Sequence, residues 1–234
     1  MNRLALITGA SSGIGEALAI GMSRKQYKVV LIARSEDRLR LIADKIKAEG
    51  GKSLVIKANL ENEDEIFSLK DRVASFGKLS VIINNAGYGK FNDISNTDVK
   101  DWDLHININL RASFLICKTF LPLMKEKGEG LIAFINSVAG KQAYSHSTAY
   151  VSSKFGLRGF ADALREELRD QNIKVVSIFP GAVNTPFWDG LKTGFDKNEM
   201  LDVKKVSNSI ISAIEAPSNC VVEEILIRRV KGDF

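Results

Sequence analysis

Short runs rich in Val, Ile and Leu alternate along the chain with longer amphipathic segments. The short runs predict strands at 4–8, 29–33, 54–58, 79–84, 131–136, 175–179 and 222–227. Between them, apolar residues recur at the three-to-four spacing of a helix over 13–23, 36–49, 63–76, 98–127, 149–170 and 203–216. Most of the strand-like runs are continuously apolar instead of alternating, which is the pattern of strands buried on both faces. Strands of that kind joined by helical crossovers make an α/β fold, a doubly wound parallel sheet of about seven strands with helices on both faces. In such a sheet a ligand lies outside the carboxyl ends of the strands, where the strand order reverses. The chemistry is therefore to be sought in the turns that follow the strands.

Composition narrows the picture without changing it. The chain has 234 residues, enough to bury a large core, and 45% hydrophobic with 26% charged residues is ordinary for a globular protein. With no repeat, low-complexity tract or Pro/Gly linker, residues 1–234 are expected to form one domain. A net charge of +5 arises from 33 basic and 28 acidic side chains that are interspersed, so a nucleic-acid footprint is not expected. Cys117 and Cys220 are far apart and have neither metal-ligand nor redox spacing, so they read as reduced thiols. Residues 4–7 are too short a run for a secretory segment, and no apolar stretch is long enough to span a bilayer. A cytoplasmic protein that binds no membrane is the expectation.

Tyr150 and Lys154 stand one helical turn apart and share a face. A cation beside a phenol stabilises the phenolate and brings its pKa toward the working range of an acid or base catalyst. After the first strand comes Thr8-Gly9-Ala10-Ser11-Ser12-Gly13-Ile14-Gly15, a turn whose glycines let backbone N–H groups approach a phosphate at a helix N-terminus. At the end of the second strand, where an NAD-binding sheet presents an acid to the adenosine ribose, there is Arg34. Its planar donors suit the 2'-phosphate of NADP, with Ser11 or Ser12 assisting. A surface pair of Arg34 with Glu36 or Asp37 is the plainer alternative. The third strand ends at Asn59-Leu60 and the fourth at Asn84-Asn85-Ala86-Gly87, small and amide residues that leave room for a flat ring. Asn107 and Asn109 interrupt an apolar stretch, and a buried amide needs partners. His105 and His146 have no second ligand at a helical spacing, so no metal site is expected.

These motifs together resemble the classical short-chain dehydrogenase/reductase family, over essentially the whole chain. T-G-x-x-x-G-x-G is matched at Thr8 to Gly15, N-N-A-G at Asn84 to Gly87, N-L-x-x-x-F at Asn109 to Phe114, Y-x-x-x-K at Tyr150 to Lys154 with Ser137 upstream, and P-G-x-V-x-T at Pro180 to Thr185. The resemblance implies a Rossmann-like single domain, NADP(H) in preference to NAD(H), a small carbonyl or alcohol substrate, and a homodimer or homotetramer. It gives Tyr150 the acid/base role, with Lys154 lowering its pKa and holding the nicotinamide ribose. Ser137 would hydrogen-bond the substrate oxygen, and Asn109 would support a proton-relay water. Gly9, Ser11, Ser12, Gly13, Ile14, Gly15, Arg34, Asn59, Leu60, Asn85, Ala86 and Gly87 would line the dinucleotide. Pro180, Gly181, Val183 and Thr185 would bracket the nicotinamide.

The chain departs from the family pattern in two places. Asn59 stands where Asp is more frequent, and Asn136 replaces a frequent Ser beside Ser137, a change expected to matter little. Residues 186–200 occupy the place of the family's mobile substrate lid, in which Phe187, Trp188 and Leu191 could cover an apolar substrate together with Tyr88, Gln142, Tyr144 and His146. The expected activity is NADPH-dependent reduction of a ketone, aldehyde or 3-oxoacyl group, or the reverse. A sugar-nucleotide epimerase would spell its glycine turn differently and carry a substrate domain for which the chain has no room. A non-catalytic NADP-sensing protein would be expected to have lost one of Asn109, Ser137, Tyr150 and Lys154, and all four are present.

Overall fold

The computed structural model describes residues 3–191 and 193–233. Seven strands form one parallel sheet: β1 (Arg3–Thr8), β2 (Lys28–Ala33), β3 (Ser53–Lys57), β4 (Lys78–Asn84), β5 (Gly130–Ile135), β6 (Ile173–Pro180) and β7 (Glu224–Ile227). Their order is β3-β2-β1-β4-β5-β6-β7, so the winding reverses between β1 and β4. The apolar runs of β1, β2, β4, β5 and β6 are buried on both faces, whereas the edge strands β3 and β7 are only partly covered, and two separate cores result. On one side α1 (Gly13–Arg24), α2 (Glu36–Ala48) and α8 (Val203–Ile214) cover the sheet through residues such as Leu18, Ile42 and Ile210. On the other side α6 (Ala112–Lys127) and α7 (Thr148–Leu168) bury Phe120, Leu157 and Leu164 against it. Among the described residues no helix is long and apolar enough to cross a membrane.

Two expected helices are divided. The 63–76 segment forms α3 (Glu63–Ser68) and α4 (Lys70–Phe76) with Leu69 between them. The 98–127 segment forms α5 (Val99–Ile106), a π-helical turn at Asn107–Arg111, and then α6. The wide turn coincides with Asn109, whose side chain is fully buried and makes three hydrogen bonds. A buried amide left without partners would cost several kcal/mol, roughly 1–3 per unmet group, which favours the local rearrangement over a regular helix. At the far edge β7 is shorter than expected and half-exposed.

Candidate active site

The turns after β1, β2, β4, β5 and β6 converge on one cleft of about 980 Å³ outside the carboxyl ends of the strands. That is the location expected at the reversal of strand order. One end of the cleft is built from backbone. Gly9 and Gly13 have φ of +62° and +58°, where side chains with a Cβ are strained. A Cβ on Gly15 would lie 2.2 Å from the Gly9 carbonyl oxygen, so the helix starts hard against the turn. Thr8 and Asn85 fasten this turn to the end of β4. The Thr8 hydroxyl accepts the N–H groups of Asn85 and Ala86, both at 3.0 Å, while the Asn85 amide donates to the carbonyls of Thr8 and Gly9 at 2.9 and 3.1 Å. Gly9, Ser11, Ser12, Gly13, Ile14, Leu60, Ala86 and Gly87 line the cleft, as does Asn85. Gly15 instead packs beneath it.

Arg34 stands on the rim of this end with Arg38 one helical turn further on. Of the two acids expected to compete for Arg34, Glu36 accepts from Arg40 at 2.5 Å, and Asp37 forms no ion pair with Arg34 among the described residues. Asp37, Arg34 and Arg38 have no hydrogen-bond or ion-pair partner among the described residues. The Ser12 hydroxyl does not cap α1, and it and Ser11 remain free to donate. Asn59 is turned elsewhere, its side-chain oxygen accepting the Glu61 N–H at 3.2 Å and its backbone N–H donating to Glu65. It is not among the residues that line the cleft, and a short local turn occupies its carbonyl oxygen.

The middle of the cleft holds the titratable pair. Tyr150 is partly exposed on its floor, and Lys154, one turn along α7, is buried with Nζ 5.7 Å from the phenol ring centroid. Lys154 donates to the Ile135 carbonyl at 3.1 Å. Burial pushes the Tyr150 phenol up to about 12, with the Ser137 hydroxyl pulling weakly the other way, and brings Lys154 down to about 7. The phenol thus stays protonated at neutral pH while the amine exchanges its proton there. Desolvation by the protein around the phenol is the larger influence on Tyr150, ahead of the Ser137 hydroxyl. Ser137 borders the same space, its hydroxyl accepting the Ala139 N–H. Asn136 contributes more than expected: its amide donates to the Lys154 carbonyl at 3.1 Å and its oxygen accepts the Ser137 N–H at 2.9 Å. One side chain therefore ties the end of β5 to the helix that carries Tyr150.

Asn109 holds the site from behind. Its oxygen accepts the Tyr88 N–H at 2.8 Å, and its amide donates to the Tyr88 carbonyl and the Ser153 hydroxyl, each at 2.9 Å. His105 performs a similar task nearby. Its Nδ1 lies 2.6 Å from the Asp101 carbonyl and its Nε2 accepts the Lys90 N–H, which fixes a neutral tautomer. Burial keeps its pKa below the ordinary histidine value.

The other end of the cleft is walled by side chains. Phe91 meets Tyr150 edge-on at 5.4 Å and stacks on Trp188 at 6.1 Å, and Trp188 meets Phe187 and Phe195. Phe187 lies against Gly89, where a Cβ would come within 2.3 Å of the ring. Asp93 and His146 pair across the mouth at 2.6 Å. Of the expected cover residues, Tyr88, Tyr144, His146, Phe187 and Trp188 line the cleft, whereas Leu191 does not and Gln142 instead bonds Tyr144 and Asp233. Lys192, within the expected lid, lies outside the described residues. Pro180, Gly181, Val183 and Thr185 line the junction of the two ends, and Gly13 touches Thr185. Arg38, Phe91 and Asp233 escaped the sequence reading. Arg38 alone carried a usable signal, a second guanidinium one turn beyond the first.

Residues 3–194 match the family described as short chain dehydrogenase. The chain belongs to this family. It is an oxidoreductase by that membership, and the match runs from β1 through the segment that follows β6. A sepiapterin reductase from Chlorobaculum tepidum is 32% identical, with 100% of this chain and 99% of the relative covered. Among solved structures, an alcohol dehydrogenase from the archaeon Thermococcus sibiricus complexed with 5-hydroxy-NADP superposes with a TM-score of 0.91 at 29% identity, covering 98% of this chain and 97% of that one. A metagenomic short-chain oxidoreductase in complex with NADP gives 0.86 at 30% identity, covering 97% of each.

Proposed function

We propose that the protein is an NADPH-dependent oxidoreductase that reduces a carbonyl to an alcohol, or catalyses the reverse, with Tyr150 as general acid/base. The observation that carries this reading is a phenol on the floor of a dinucleotide-sized cleft, beside Ser137 and with the buried Lys154 ammonium 5.7 Å from its ring centroid. The residues fit the cofactor. The glycine turn leaves backbone room for a pyrophosphate, and Arg34 and Arg38, which form no ion pair among the described residues, are two guanidinium groups at the cleft suited to a 2'-phosphate. NADP-bound relatives of the same fold support the same choice. Bound NADPH supplies two electrons and a hydrogen to the carbonyl carbon.

The chain's own groups would manage the oxygen. Ser137 and Tyr150 offer two hydroxyl donors to an oxygen that gains negative charge, and the Tyr150 proton completes the alcohol. Lys154, with a pKa near neutrality, is the group able to restore that proton. Asn109 spends its amide on Tyr88 and Ser153, so any part in a proton relay would run through its backbone. Asn136 keeps Ser137 and Lys154 in register. The segment 186–200 acts as the substrate cover, contributing Phe187, Trp188 and Phe195. Free thiols at Cys117 and Cys220 support a reducing, cytoplasmic setting. Exposed Val99, Trp102, Phe114 and Phe155 on the outer helices support a homo-oligomer.

A screen of NADPH oxidation against aldehydes, diketones, quinones and 3-oxoacyl thioesters tests the activity. Replacement of Tyr150 by Phe should lower kcat by about a thousandfold while the affinity for NADPH stays within about twofold. Retained turnover in that variant would remove Tyr150 from the chemistry.

A further inference from the structure

Residues 228–233 return the chain to the cleft. Asp233 borders it, and its side chain is only 16% exposed. One carboxylate oxygen, Oδ2, accepts from the Tyr144 hydroxyl at 2.5 Å and from the Gln142 amide at 3.1 Å, and Arg228 lies 3.3 Å away. Arg228 also donates to the Gln142 carbonyl oxygen at 2.7 Å, so the four side chains form one closed network. Tyr144 in turn is linked to the helix that carries the acid/base residue, since its backbone carbonyl accepts the Ser147 hydroxyl at 2.6 Å, three residues before Tyr150. The tail has a second anchor. Arg229 donates to the Gly232 carbonyl at 3.0 Å and reaches Glu199, at the end of the substrate cover, at 2.8 Å. Two walls of the substrate end, the 141–147 loop and the 186–199 segment, are thus fastened to the same short piece of chain.

We propose that Asp233 is a positioning residue of the substrate site: through Tyr144 and Gln142 it fixes the 141–147 wall against the cleft, and the C-terminal tail joins that wall to the cover. This rests on the cleft being the site of carbonyl reduction. The physical reason is that a loop carrying His146 in the left-handed region, at φ of +58°, has little local structure to hold it. A charged acceptor shared by a phenol and an amide is strong enough to order it. Asp233 Oδ1 lies against Gly181 at the junction of the two ends, but the network's hydrogen bonds run to Tyr144, Gln142 and Arg228 and none reaches the glycine turn, so the effect should fall chiefly on substrate binding.

The test compares the wild-type protein with Asp233→Ala, Asp233→Asn, Tyr144→Phe and the Asp233→Ala/Tyr144→Phe double variant. NADPH oxidation is followed with 1-phenyl-1,2-propanedione as probe, NADPH affinity by fluorescence titration, and amide hydrogen exchange over residues 141–147. In Asp233→Ala the KM should rise about tenfold and 141–147 should exchange faster, with kcat within about threefold and NADPH affinity unchanged. Asp233→Asn, which keeps an acceptor for Tyr144, should recover part of the loss, and the double variant should be no worse than Asp233→Ala. Unchanged KM and unchanged exchange in Asp233→Ala would overturn the proposal, as would a fall in kcat or in NADPH affinity with KM intact. If the wild-type protein does not turn over the dione, its reduction of this probe is refuted, and the exchange of 141–147 still decides whether Asp233 holds the wall.

Discussion

The two ends of the cleft are made of different material. At the nucleotide end, positive-φ glycines, strand ends and helix N-terminal amides shape the space, and Thr8 and Asn85 lock it with five close backbone contacts from one hydroxyl and one amide. At the substrate end the boundary is side chains from loops far apart in sequence: Phe91, Tyr144, Phe187, Trp188 and Asp233. A backbone-built site tolerates no added atom, because strands and helices behind it cannot retreat. A site built from side chains can adjust by rotation. The first end suits a constant ligand and the second a ligand that differs among members of a family.

Adding one methyl group to each end gives the largest expected contrast. In Gly15→Ala the new Cβ would fall 2.2 Å from the Gly9 oxygen and 2.5 Å from the Asn85 amide nitrogen, both fixed by the sheet. A loss of about 3 kcal/mol in stability, read from urea midpoints, should accompany weakened NADPH binding. In Gly89→Ala the new Cβ meets only the outer edge of the Phe187 ring, at 2.3 Å. The ring can turn away, so stability should change by less than about 1 kcal/mol while KM for a carbonyl substrate rises. Equal destabilisation by the two changes would erase the distinction between the ends.

The next effect concerns charge at the nucleotide end. Arg34→Ala should weaken NADPH about thirtyfold and leave NADH nearly unaltered, because the guanidinium would serve only the additional phosphate. Arg38→Ala should act in the same direction. Direct titration with both nucleotides measures the ratio, and a ratio that survives the Arg34 change would return that residue to the role of a solvated surface cation.

The same contrast explains what the sequence disclosed. Gly9, Gly13 and Gly15 announce themselves because a backbone requirement restricts residue type at fixed local spacing, and Tyr150 with Lys154 do so because one helix carries both. The parallel sheet was legible for a related reason: strands buried on both faces leave no polar alternation. Nothing local marks Asp233, whose meaning comes from Tyr144, 89 residues away in sequence. Asn136 was undervalued for the same cause, since its partner Lys154 lies 18 positions on. The π-helical turn at Asn107–Arg111 was invisible because helical periodicity continues on either side of it, and only the tertiary demands of Asn109 require the extra residue. Asn59 resembles a cofactor contact in sequence, yet a turn of two residues claims its oxygen.

The smallest expected effect belongs to the junction of the two ends, and its sign follows from burial. Lys154 is held at about 7 in the fold, below its ordinary 10.5, so between those values the unfolded chain binds more protons than the folded one. Stability must rise with pH across that window, and the penalty of the buried ammonium is fully present below about pH 7. Tyr150 acts oppositely: its pKa is raised from 10 to about 12, so the folded chain holds the extra proton and stability falls as pH climbs above 10. Urea midpoints of the cofactor-free protein should therefore increase from pH 7 to pH 9 by a Lys154 contribution on the order of 1 kcal/mol. Lys154→Met removes the titrating group without emptying its space, and the rise should flatten by that amount. An identical slope in the two proteins would mean that the ammonium finds as much solvation inside the fold as outside it, and that Lys154 is not poised to exchange protons with Tyr150 at neutral pH.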